Sequence, residues 1–437
     1  MTHHVILGAG PAGVIAAETI RKHAPADRIT LVGDEPEPPY SRMAIPYLLI
    51  GQIGEDGTWL RKSPGHYEAL RIERVQGRAV AVDAESRTVQ LADGATLAFD
   101  RLLIATGSQP LKPPIRGIDL PGVHHCWTLA DARAILQRAT PGARVLQLGA
   151  GFIGCIIMEA LKQRGVQLTV VEMGDRMVPR MMGPTAGGMI RRWCEQQGVR
   201  VLTGTRIEAI EHAAPLQARL SNGERVAADL VIIAAGVRPA IGFLEGSGIR
   251  CLQGVLTDER MQTNVPGIYA AGDCAEAFDK VSARSIVSAI QPNAAEQARV
   301  AALNMAGRAA ELRGVTQINV LDTLGLISSS FGQWQGVPGG EHVEWVDEAR
   351  PRMISLAFDG DRLIGSNTVG WTAHIGALRG LVEGQVRLGP WKETLRRDPT
   401  QFMSAYLACA QGQADWAGPG DARRRGRPGS PAEAALR

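Results

Sequence analysis

The stretch His4-Val-Ile-Leu-Gly8-Ala-Gly10-Pro-Ala-Gly13 joins a short apolar run to the pattern G-x-G-x-x-G. A helical pattern of apolar residues follows, and a second apolar run then ends at Gly33-Asp34-Glu35. Asp34 lies 21 residues beyond Gly13, and the expected spacing between such a glycine and its acid is about 20. This order of strand, tight turn, helix, strand and acid predicts a Rossmann-type βαβ unit.

The glycines of this motif have separate physical tasks in binding a dinucleotide. Gly8 permits the tight turn, Gly10 lets the backbone approach a pyrophosphate, and Gly13 lets the helix pack closely on the strand. The first helical turn, which includes Pro11 and Ala12, presents free N–H groups to the phosphates. We expect one of the two acids that end the second strand to accept hydrogen bonds from the ribose hydroxyls.

The same arrangement recurs at residues 144–154. An apolar run leads into a second motif, which consists of Gly149, Gly151, Phe152, Ile153 and Gly154. A helical pattern and another apolar run follow and end at Glu172, 18 residues beyond Gly154. Two copies in the same context predict two dinucleotide sites. Glu172 favours NAD over NADP because a carboxylate repels a 2′-phosphate, although Arg176 is near enough in sequence to reach one.

The composition excludes several other classes of protein. The chain has 437 residues and a formal net charge of +3, with 45% hydrophobic and 21% charged residues, as is typical of globular proteins with two or three domains. The nearly balanced charge gives no basic footprint for nucleic acid, and no apolar stretch approaches the roughly 18 residues of a membrane helix. Because the first motif begins at Gly8, we expect no removable signal peptide and a cytoplasmic location.

The cysteines and histidines show no pattern of metal ligands. No two of the six cysteines lie within four residues of each other, so C-x-x-C spacings are absent and we expect buried, reduced thiols. The sequence His124-His125-Cys126 lacks a fourth ligand at useful spacing. The sequence therefore predicts no metal site.

With these motifs in place, the chain resembles the pyridine-nucleotide-dependent FAD oxidoreductases of the glutathione-reductase structural class over about residues 1–410. Three further segments carry the resemblance: Leu103-Ile-Ala-Thr106-Gly107-Ser108-Gln-Pro110, Ile233-Ala-Ala-Gly236-Val-Arg238-Pro239 and Gly267-Ile-Tyr-Ala-Ala-Gly272-Asp273. The resemblance implies that the chain leaves the FAD unit at the first segment and returns from the NAD unit at the second. It also implies that Asp273 contacts the ribityl and pyrophosphate part of FAD.

The resemblance also implies which other residues contact the flavin nucleotide. Residues 39–47 match a P-Y-x-R segment of one branch, in which the arginine, here Arg42, lies against the FAD phosphates. A helix predicted from Gln291 to Met305 points its N-terminus at the flavin, where Asn293 and Ala294 contact the ring edge. The partial positive charge of that helix end stabilises the anionic reduced flavin.

Three departures from the family pattern narrow the function. Met43 stands where NADH oxidases, NADH peroxidases and coenzyme A disulfide reductases place a redox cysteine, and a thioether cannot do thiolate chemistry. Tyr47 stands near the place of a flavin-contacting lysine in oxygenase-type ferredoxin reductases. Ile156 replaces the glutamate of G-x-x-G-x-E. Without a thiol relay, electrons must leave the flavin directly.

The chain is most similar to the rubredoxin and ferredoxin reductases and to the FAD/NAD subunits of tungsten aldehyde oxidoreductase and carbon monoxide dehydrogenase complexes. This resemblance implies an FAD-dependent oxidoreductase that exchanges hydride with NAD(H) and single electrons with an iron–sulfur or rubredoxin-like partner or subunit. Two alternatives stay open. The first is an NADH oxidase that reduces oxygen at the flavin, and the second is a non-catalytic flavoprotein that serves as a redox sensor or scaffold.

The predicted fold class is α/β, with two Rossmann-type dinucleotide-binding domains and a C-terminal α+β interface domain of short strands followed by helices. The predicted boundaries are 1–110 and 240–312 for the FAD-binding domain, 111–239 for the NAD-binding domain, 313–410 for the interface domain and 411–437 for a disordered tail. The tail is predicted from its content of Gly, Pro, Ala and Arg.

Overall fold

The computed structural model describes residues 1–212 and 214–413. Its first sheet is parallel and carries the first glycine motif. From one edge to the other, its strands within the described residues are Ile268–Ala270, Arg101–Ile104, His3–Leu7, Arg28–Gly33 and Ile72–Gln76. The helices Pro11–His23 and Gln291–Met305 pack against each other beside this sheet, and the second has the predicted bounds. The central strands read as apolar runs because both faces of the sheet are covered.

The second sheet is also parallel and carries the second glycine motif. Across the described part of the chain, its strands in spatial order are Arg200–Leu202, Gln167–Val171, Arg144–Leu148, Leu230–Ile233 and Val123–His125. The associated helices are Leu129–Arg138, Phe152–Gln163 and Pro184–Gln196. The helix after the first motif ends at His23, as its pattern predicts, whereas the helix after the second motif runs past the predicted end at Leu161 to Gln163, because the apolar pattern marks only the buried face.

Two short strands join the parts of the molecule that contain the parallel sheets. Ser108–Pro110 lies where the chain leaves the first part, and Val237–Pro239 lies where it returns. They pair antiparallel, with Val237 opposite Pro110 and Pro239 opposite Ser108. We call this pair the crossover ribbon. It holds the two parts of the molecule together at the ends of strands from both sheets.

The C-terminal part is an antiparallel sheet covered by helices. Its strands in spatial order are Ile318–Thr323, Leu326–Gly332, Arg362–Val369, Arg352–Asp359 and Glu341–Asp347. The helices are Ile375–Glu383, Trp391–Arg397 and Phe402–Gln413. The apolar pattern predicts helices at Ala373–Glu383 and about Pro399–Ala410 and misses the middle one. The last helix extends three residues past the predicted boundary at residue 410, and residues 414–437 of the predicted tail lie outside the described residues.

This sheet is attached to the second parallel-sheet part through Asn367. Its side-chain amide donates to the carbonyl of Met181 over 3.0 Å, and its oxygen accepts from the N–H of Gly183 over 2.9 Å. All three residues are buried or nearly so. The predicted fold class, α/β with Rossmann-type parallel sheets, is confirmed.

Smaller elements complete the fold. The other strands of the described residues are Ala79–Asp83, Thr88–Leu91, Thr96–Ala98, Ile207–Glu211, Leu216–Leu220, Arg225–Ala228, Val255–Leu256, Ala275–Asp279 and Arg284–Val287. The remaining helical turns are Arg42–Ala44, Ile45–Leu49, Glu55–Thr58, His66–Ala69, Gly242–Leu244 and Pro399–Gln401. No helix among the described residues combines the length and apolar character that crossing a membrane requires.

Candidate dinucleotide sites

The first glycine motif forms a turn that is closed by backbone contacts. Gly8 has φ +111°, and a Cβ there would lie 2.1 Å from the carbonyl oxygen of Ala105. A Cβ at Gly13 would lie 1.9 Å from the carbonyl oxygen of Gly8. A Cβ at Gly10 would meet no atom within 4 Å among the described residues. Gly8 and Gly13 are therefore required by the fold, whereas Gly10 borders an open space where a phosphate fits.

The helix that follows points an uncapped N-terminus at this space. Gly10 is its N-cap and Pro11 its first residue, and the described residues supply no side-chain hydrogen bond to the cap. The open N–H groups and the positive end of the helix dipole suit an anion. These features of the chain fit the pyrophosphate of a dinucleotide.

The ends of four parallel strands meet at this edge of the first sheet. Leu7 pairs in register with Val32 and Ile104, and Ile104 pairs with Ala270. The segments that begin just beyond these residues carry half of the predicted FAD contacts, namely Gly8, Asp34, Glu35, Thr106, Gly107, Gly272 and Asp273. Ligands of α/β proteins bind at this edge.

The second FAD-type segment packs directly on the first motif. A Cβ at Gly272, which has φ +83°, would lie 3.3 Å from the Cβ of Ala12 and 3.7 Å from that of Ala294. The predicted contact residues from three distant parts of the chain therefore meet at one point. Thr106 is tied nearby, since its hydroxyl donates to the carbonyl of Ala240 over 2.9 Å.

The two acids after the second strand differ in their surroundings. Asp34 is exposed, whereas the carboxylate of Glu35 accepts hydrogen bonds from Arg42 and Tyr40, each over 2.6 Å. Arg42 also donates to the carbonyl of Trp127 over 2.7 Å. Glu35 thus holds Arg42 in place, which leaves Asp34 as the acid whose oxygens are open to a ribose.

Asp273 is a mostly buried acid in the FAD-type part. Burial raises the pKa of its carboxyl, while the hydroxyl of Ser108 and the charge of Arg42 act in the opposite direction. Ser108 donates to it over 2.9 Å from the crossover ribbon. A buried carboxylate with few donors is costly in the empty protein, and a ligand that supplies hydroxyl donors offsets that cost.

The helix Gln291–Met305 contributes one residue that the sequence reading missed. Gln297 is buried, its oxygen accepts from the N–H of Gly272 over 2.8 Å, and its Nε2 has no hydrogen-bond partner among the described residues. The side-chain amide of predicted Asn293 donates to Ser288 over 2.7 Å and to the carbonyl of Thr316 over 3.3 Å. In the sequence, the role of Gln297 was indicated only by its being a polar residue on the buried face of this helix.

The second glycine motif repeats the geometry of the first. A Cβ at Gly154 would lie 2.5 Å from the carbonyl oxygen of Gly149, and one at Gly151 would meet nothing within 4 Å in the described part of the chain. Buried Gln147, which the sequence reading also missed, donates to the carbonyls of Gly149 and Gly154, each over 2.9 Å. Its position inside an apolar strand was the signal, since a buried amide normally serves a specific hydrogen bond.

Glu172 is anchored beside this motif. Its carboxylate accepts from the N–H of Ala150 over 2.8 Å and from that of Gly174 over 2.7 Å. The guanidinium of Arg176 is bonded to the carbonyl of Met182 and to Asp175 over 2.9 and 2.7 Å. Arg176 is therefore occupied within the protein, and the geometry beside Glu172 suits a ribose hydroxyl better than a 2′-phosphate.

A pocket lies between the crossover ribbon and the second glycine motif. It is lined by Pro110, His125, Cys126, Trp127, Ile153, Ile233, Ala234, Gly236 and Val237. The predicted residues Ile153 and Gly236 therefore line this pocket together with residues 125–127, of which the sequence analysis considered His125 and Cys126 only as metal ligands. Trp127 is also the residue whose carbonyl holds Arg42. The pocket thus lies where the two candidate nucleotide sites adjoin.

The sulfur-containing side chains near these sites are unsuited to thiolate chemistry. Burial is the main cause that raises the pKa of all six cysteines, to about 12 for Cys126 and about 11 for Cys274.

The two side chains at the predicted departures from the family pattern are exposed. Met43 is 61% exposed beside Arg42, and Tyr47, one turn later, is 53% exposed. No group of three or more possible metal ligands occurs within residues 1–212 and 214–413.

Two uncapped glycine-motif helices on two parallel sheets define a protein that binds two dinucleotides. Residues 2–302 match the pyridine nucleotide-disulphide oxidoreductase family, and the chain belongs to it. It is an oxidoreductase that uses FAD and NAD(H), as the sequence predicted. The family name refers to disulphides, and residue 43 of this chain is a methionine.

Individual relatives show the range of the family. The chain is 32% identical over 363 residues to the epsilon subunit of NADH-dependent phenylglyoxylate dehydrogenase from Aromatoleum evansii, covering 82% of this chain and 86% of the relative. It is 35% identical over 278 residues to the ferredoxin–NAD(+) reductase component of the biphenyl dioxygenase system from Paraburkholderia xenovorans, covering 62% and 66%. The putidaredoxin reductase in a covalent complex with putidaredoxin has the same fold, with a TM-score of 0.86, 24% identity and coverage of 94% and 99%.

Proposed function

We propose that the protein exchanges hydride with NAD(H) and single electrons with an iron–sulfur or rubredoxin-like protein. Bound FAD supplies this chemistry because it takes up a hydride and releases electrons one at a time. The observation that supports the proposal is the crossover ribbon, where Ser108 donates to Asp273 of the candidate FAD site and Pro110 lines a pocket with Ile153 of the candidate NAD site. No side chain is required as an acid or base, and the chain acts chiefly by holding the reactants in position.

The residues proposed to hold FAD come from the first motif, the segment after it and the two later segments. They are Gly8, Gly10, Pro11, Ala12, Gly13, Asp34, Glu35, Arg42, Thr106, Gly107, Gly272, Asp273, Asn293 and Ala294. The residues proposed to hold NAD are Gly149, Gly151, Phe152, Ile153, Gly154, Glu172 and Gly236. Their convergence at the carboxyl edges of two sheets supports both assignments.

The matching division of the chain is also a proposal. Residues 1–110 and 240–312 form the FAD-binding domain, 111–239 the NAD-binding domain and 313–410 the interface domain. The crossover ribbon at Ser108–Pro110 and Val237–Pro239 supports the first two boundaries, because the chain changes sheets on both sides of it.

The partner is proposed on chemical grounds. Burial raises the pKa of all six thiols, which disfavours the thiolate that a sulfur route for the electrons would need. One relative is a ferredoxin reductase component and another is a subunit of a larger NADH-dependent dehydrogenase. We therefore include the flavin subunit of a larger metal-containing complex, such as a tungsten aldehyde oxidoreductase or a carbon monoxide dehydrogenase, within the proposal.

The test is anaerobic mixing of the FAD-loaded protein with NADH and a rubredoxin or a [2Fe–2S] ferredoxin. We expect the visible absorbance of the carrier to bleach, with two carriers reduced for each NADH. Rapid steady oxygen consumption without any carrier, and no carrier reduction, would instead identify an NADH oxidase. Very slow flavin reduction with a long-lived charge-transfer band would identify a sensor or scaffold. Isolation from the native cells, with analysis of co-purifying iron or tungsten, identifies the natural partner.

A further inference from the structure

The strand order of the second sheet determines where the two halves of NAD(H) lie. Leu148 pairs in register with Val171 on one side and with Ile233 on the other, and Ile233 pairs with His125. Glu172, the candidate ribose ligand, follows the strand on the first side of the glycine motif. With Glu172 as the ribose ligand, the proposed NAD site would hold the adenosine half on that side and the nicotinamide half on the side of Gly236 and His125.

His125 lines the pocket at that second side. The pocket brings it together with Pro110 of the crossover ribbon, Ile153 of the glycine motif, Trp127 and Gly236. Its neighbour His124 is not among the lining residues, since successive side chains of a strand point to opposite faces. The two adjacent histidines thus differ in whether they face the space between the nucleotide sites.

One ring nitrogen of His125 makes no hydrogen bond within the described part of the protein. Its Nδ1 is buried and has no hydrogen-bond partner among the described residues. Buried polar atoms are rarely left unpaired, because each one loses its hydrogen bonds to water. Since the side chain that carries this nitrogen lines a pocket beside the candidate NAD site, the nitrogen is a candidate contact for a ligand bound there.

We propose that His125 binds the carboxamide of the nicotinamide ring. A carboxamide offers both an N–H donor and a carbonyl acceptor, so it can pair with Nδ1 in either tautomer of the imidazole. This contact orients the ring in the pocket and thereby sets which ring face is turned to the flavin. The inference rests on the proposed function, because it requires NAD(H) in the second site.

The test compares NAD+ with ADP-ribose, which lacks only the nicotinamide ring. Calorimetric titrations use the FAD-loaded full chain with His125→Phe, and with His124→Phe as the matched control. His124 also has a buried ring nitrogen without a partner among the described residues, and it lies next to His125 on the same strand. We expect His125→Phe to weaken NAD+ binding about three- to tenfold and to leave ADP-ribose binding unchanged. The control should change neither, and His125→Gln should restore part of the NAD+ affinity.

Unchanged NAD+ affinity in His125→Phe, or equal loss for both ligands, would overturn the inference. Should this variant fail to fold, nitrogen NMR of the wild-type protein with labelled histidine decides the question. NAD+ but not ADP-ribose should then shift the Nδ1 signal of His125, and its failure to do so would refute the contact. A wild-type protein that binds neither nucleotide would refute the proposed function itself.

Discussion

The guanidinium of Arg42 donates to the backbone carbonyl of Trp127 across 2.7 Å. Arg42 lies in the segment after the strand Arg28–Gly33 of the first parallel sheet. Trp127 lies in the segment after Val123–His125, the edge strand of the second parallel sheet. This bond therefore joins the two candidate nucleotide sites. Glu35 holds the other side of the same guanidinium over 2.6 Å. The arginine therefore couples the geometry of one site to that of the other.

Replacing Arg42 should affect both stability and flavin retention. Arg42→Met removes the bonds to Glu35 and Trp127, and we expect a loss of about 1 kcal/mol in the free energy of unfolding, since the pair is partly exposed. Flavin should also dissociate faster. Denaturant titration and the rate of flavin release on dilution measure the two effects, with Arg28→Met, at an exposed ion pair with Glu73, as the control. Identical behaviour of the two variants would contradict the coupling role.

Replacement by alanine should affect apoprotein stability at Gly13 and FAD binding at Gly10. Gly13→Ala places a Cβ 1.9 Å from a carbonyl oxygen and should destabilise the apoprotein by about 1–3 kcal/mol. Gly10→Ala meets open space, so it should leave apoprotein stability nearly unchanged and weaken FAD binding about tenfold. Thermal unfolding of the apoprotein and fluorescence titration with FAD separate these effects. Equal loss of stability in both variants would show that the open space at Gly10 does not serve the phosphates.

Asp273 should lower the stability of the apoprotein and strengthen the binding of flavin. Because burial raises the pKa of its carboxyl in the folded state, the folded protein binds a proton more tightly than the unfolded chain does. The unfavourable contribution of its carboxylate is thus present at neutral pH and fades as the pH falls from the raised pKa towards the usual value. Asp273→Asn should stabilise the apoprotein at pH 7, with less gain at pH 4, while weakening FAD binding. The difference in melting temperature between variant and wild type at the two pH values is the measurement, and a gain that grows on acidification would refute it.

Glu172 should govern the second nucleotide alone. Glu172→Ala removes the acceptor for Ala150 and Gly174 and the candidate ribose ligand, so NAD+ affinity should fall about tenfold or more. The flavin spectrum and content should stay unchanged, because the first site lies on another sheet. Calorimetry with NAD+ and the ratio of flavin to protein absorbance give both readouts. A bleached variant, or unaltered NAD+ affinity, would count against the assignment.

Met43 offers a spectroscopic test of the flavin position. Met43→Cys places a thiol beside Arg42, and at high pH its thiolate should give a new long-wavelength absorption with the oxidised flavin. Met173, 67% exposed next to Glu172, is the matched control against 61% for Met43. Met173→Cys should leave the flavin spectrum unchanged. The same spectrum in both variants would place the flavin ring away from residue 43.

Much of this architecture was predictable because its signals are local. The two motifs and their acids describe a strand, a turn and a helix that follow each other directly in the chain, and Gly8 and Gly13 are required by contacts within ten residues or at the adjacent strand. The helix Gln291–Met305 was predicted with its bounds because proline suits its first turn. The helix Trp391–Arg397 was missed, since a short helix with one buried residue has little apolar periodicity.

The sequence by itself determined that there are two dinucleotide motifs, that each lies in a βαβ unit, and that residue 43 is a methionine and not a cysteine. Only the tertiary structure decided that Glu35 is bonded to Arg42 while Asp34 is open, that Gln147 and Gln297 support the glycine segments, and that His125 faces the pocket between the sites. The physical reason is that the features determined by the sequence depend on spacing along one stretch of chain. Those decided by the tertiary structure depend on which strands become neighbours in a sheet, and residues distant in sequence meet there through pairings that no local pattern encodes.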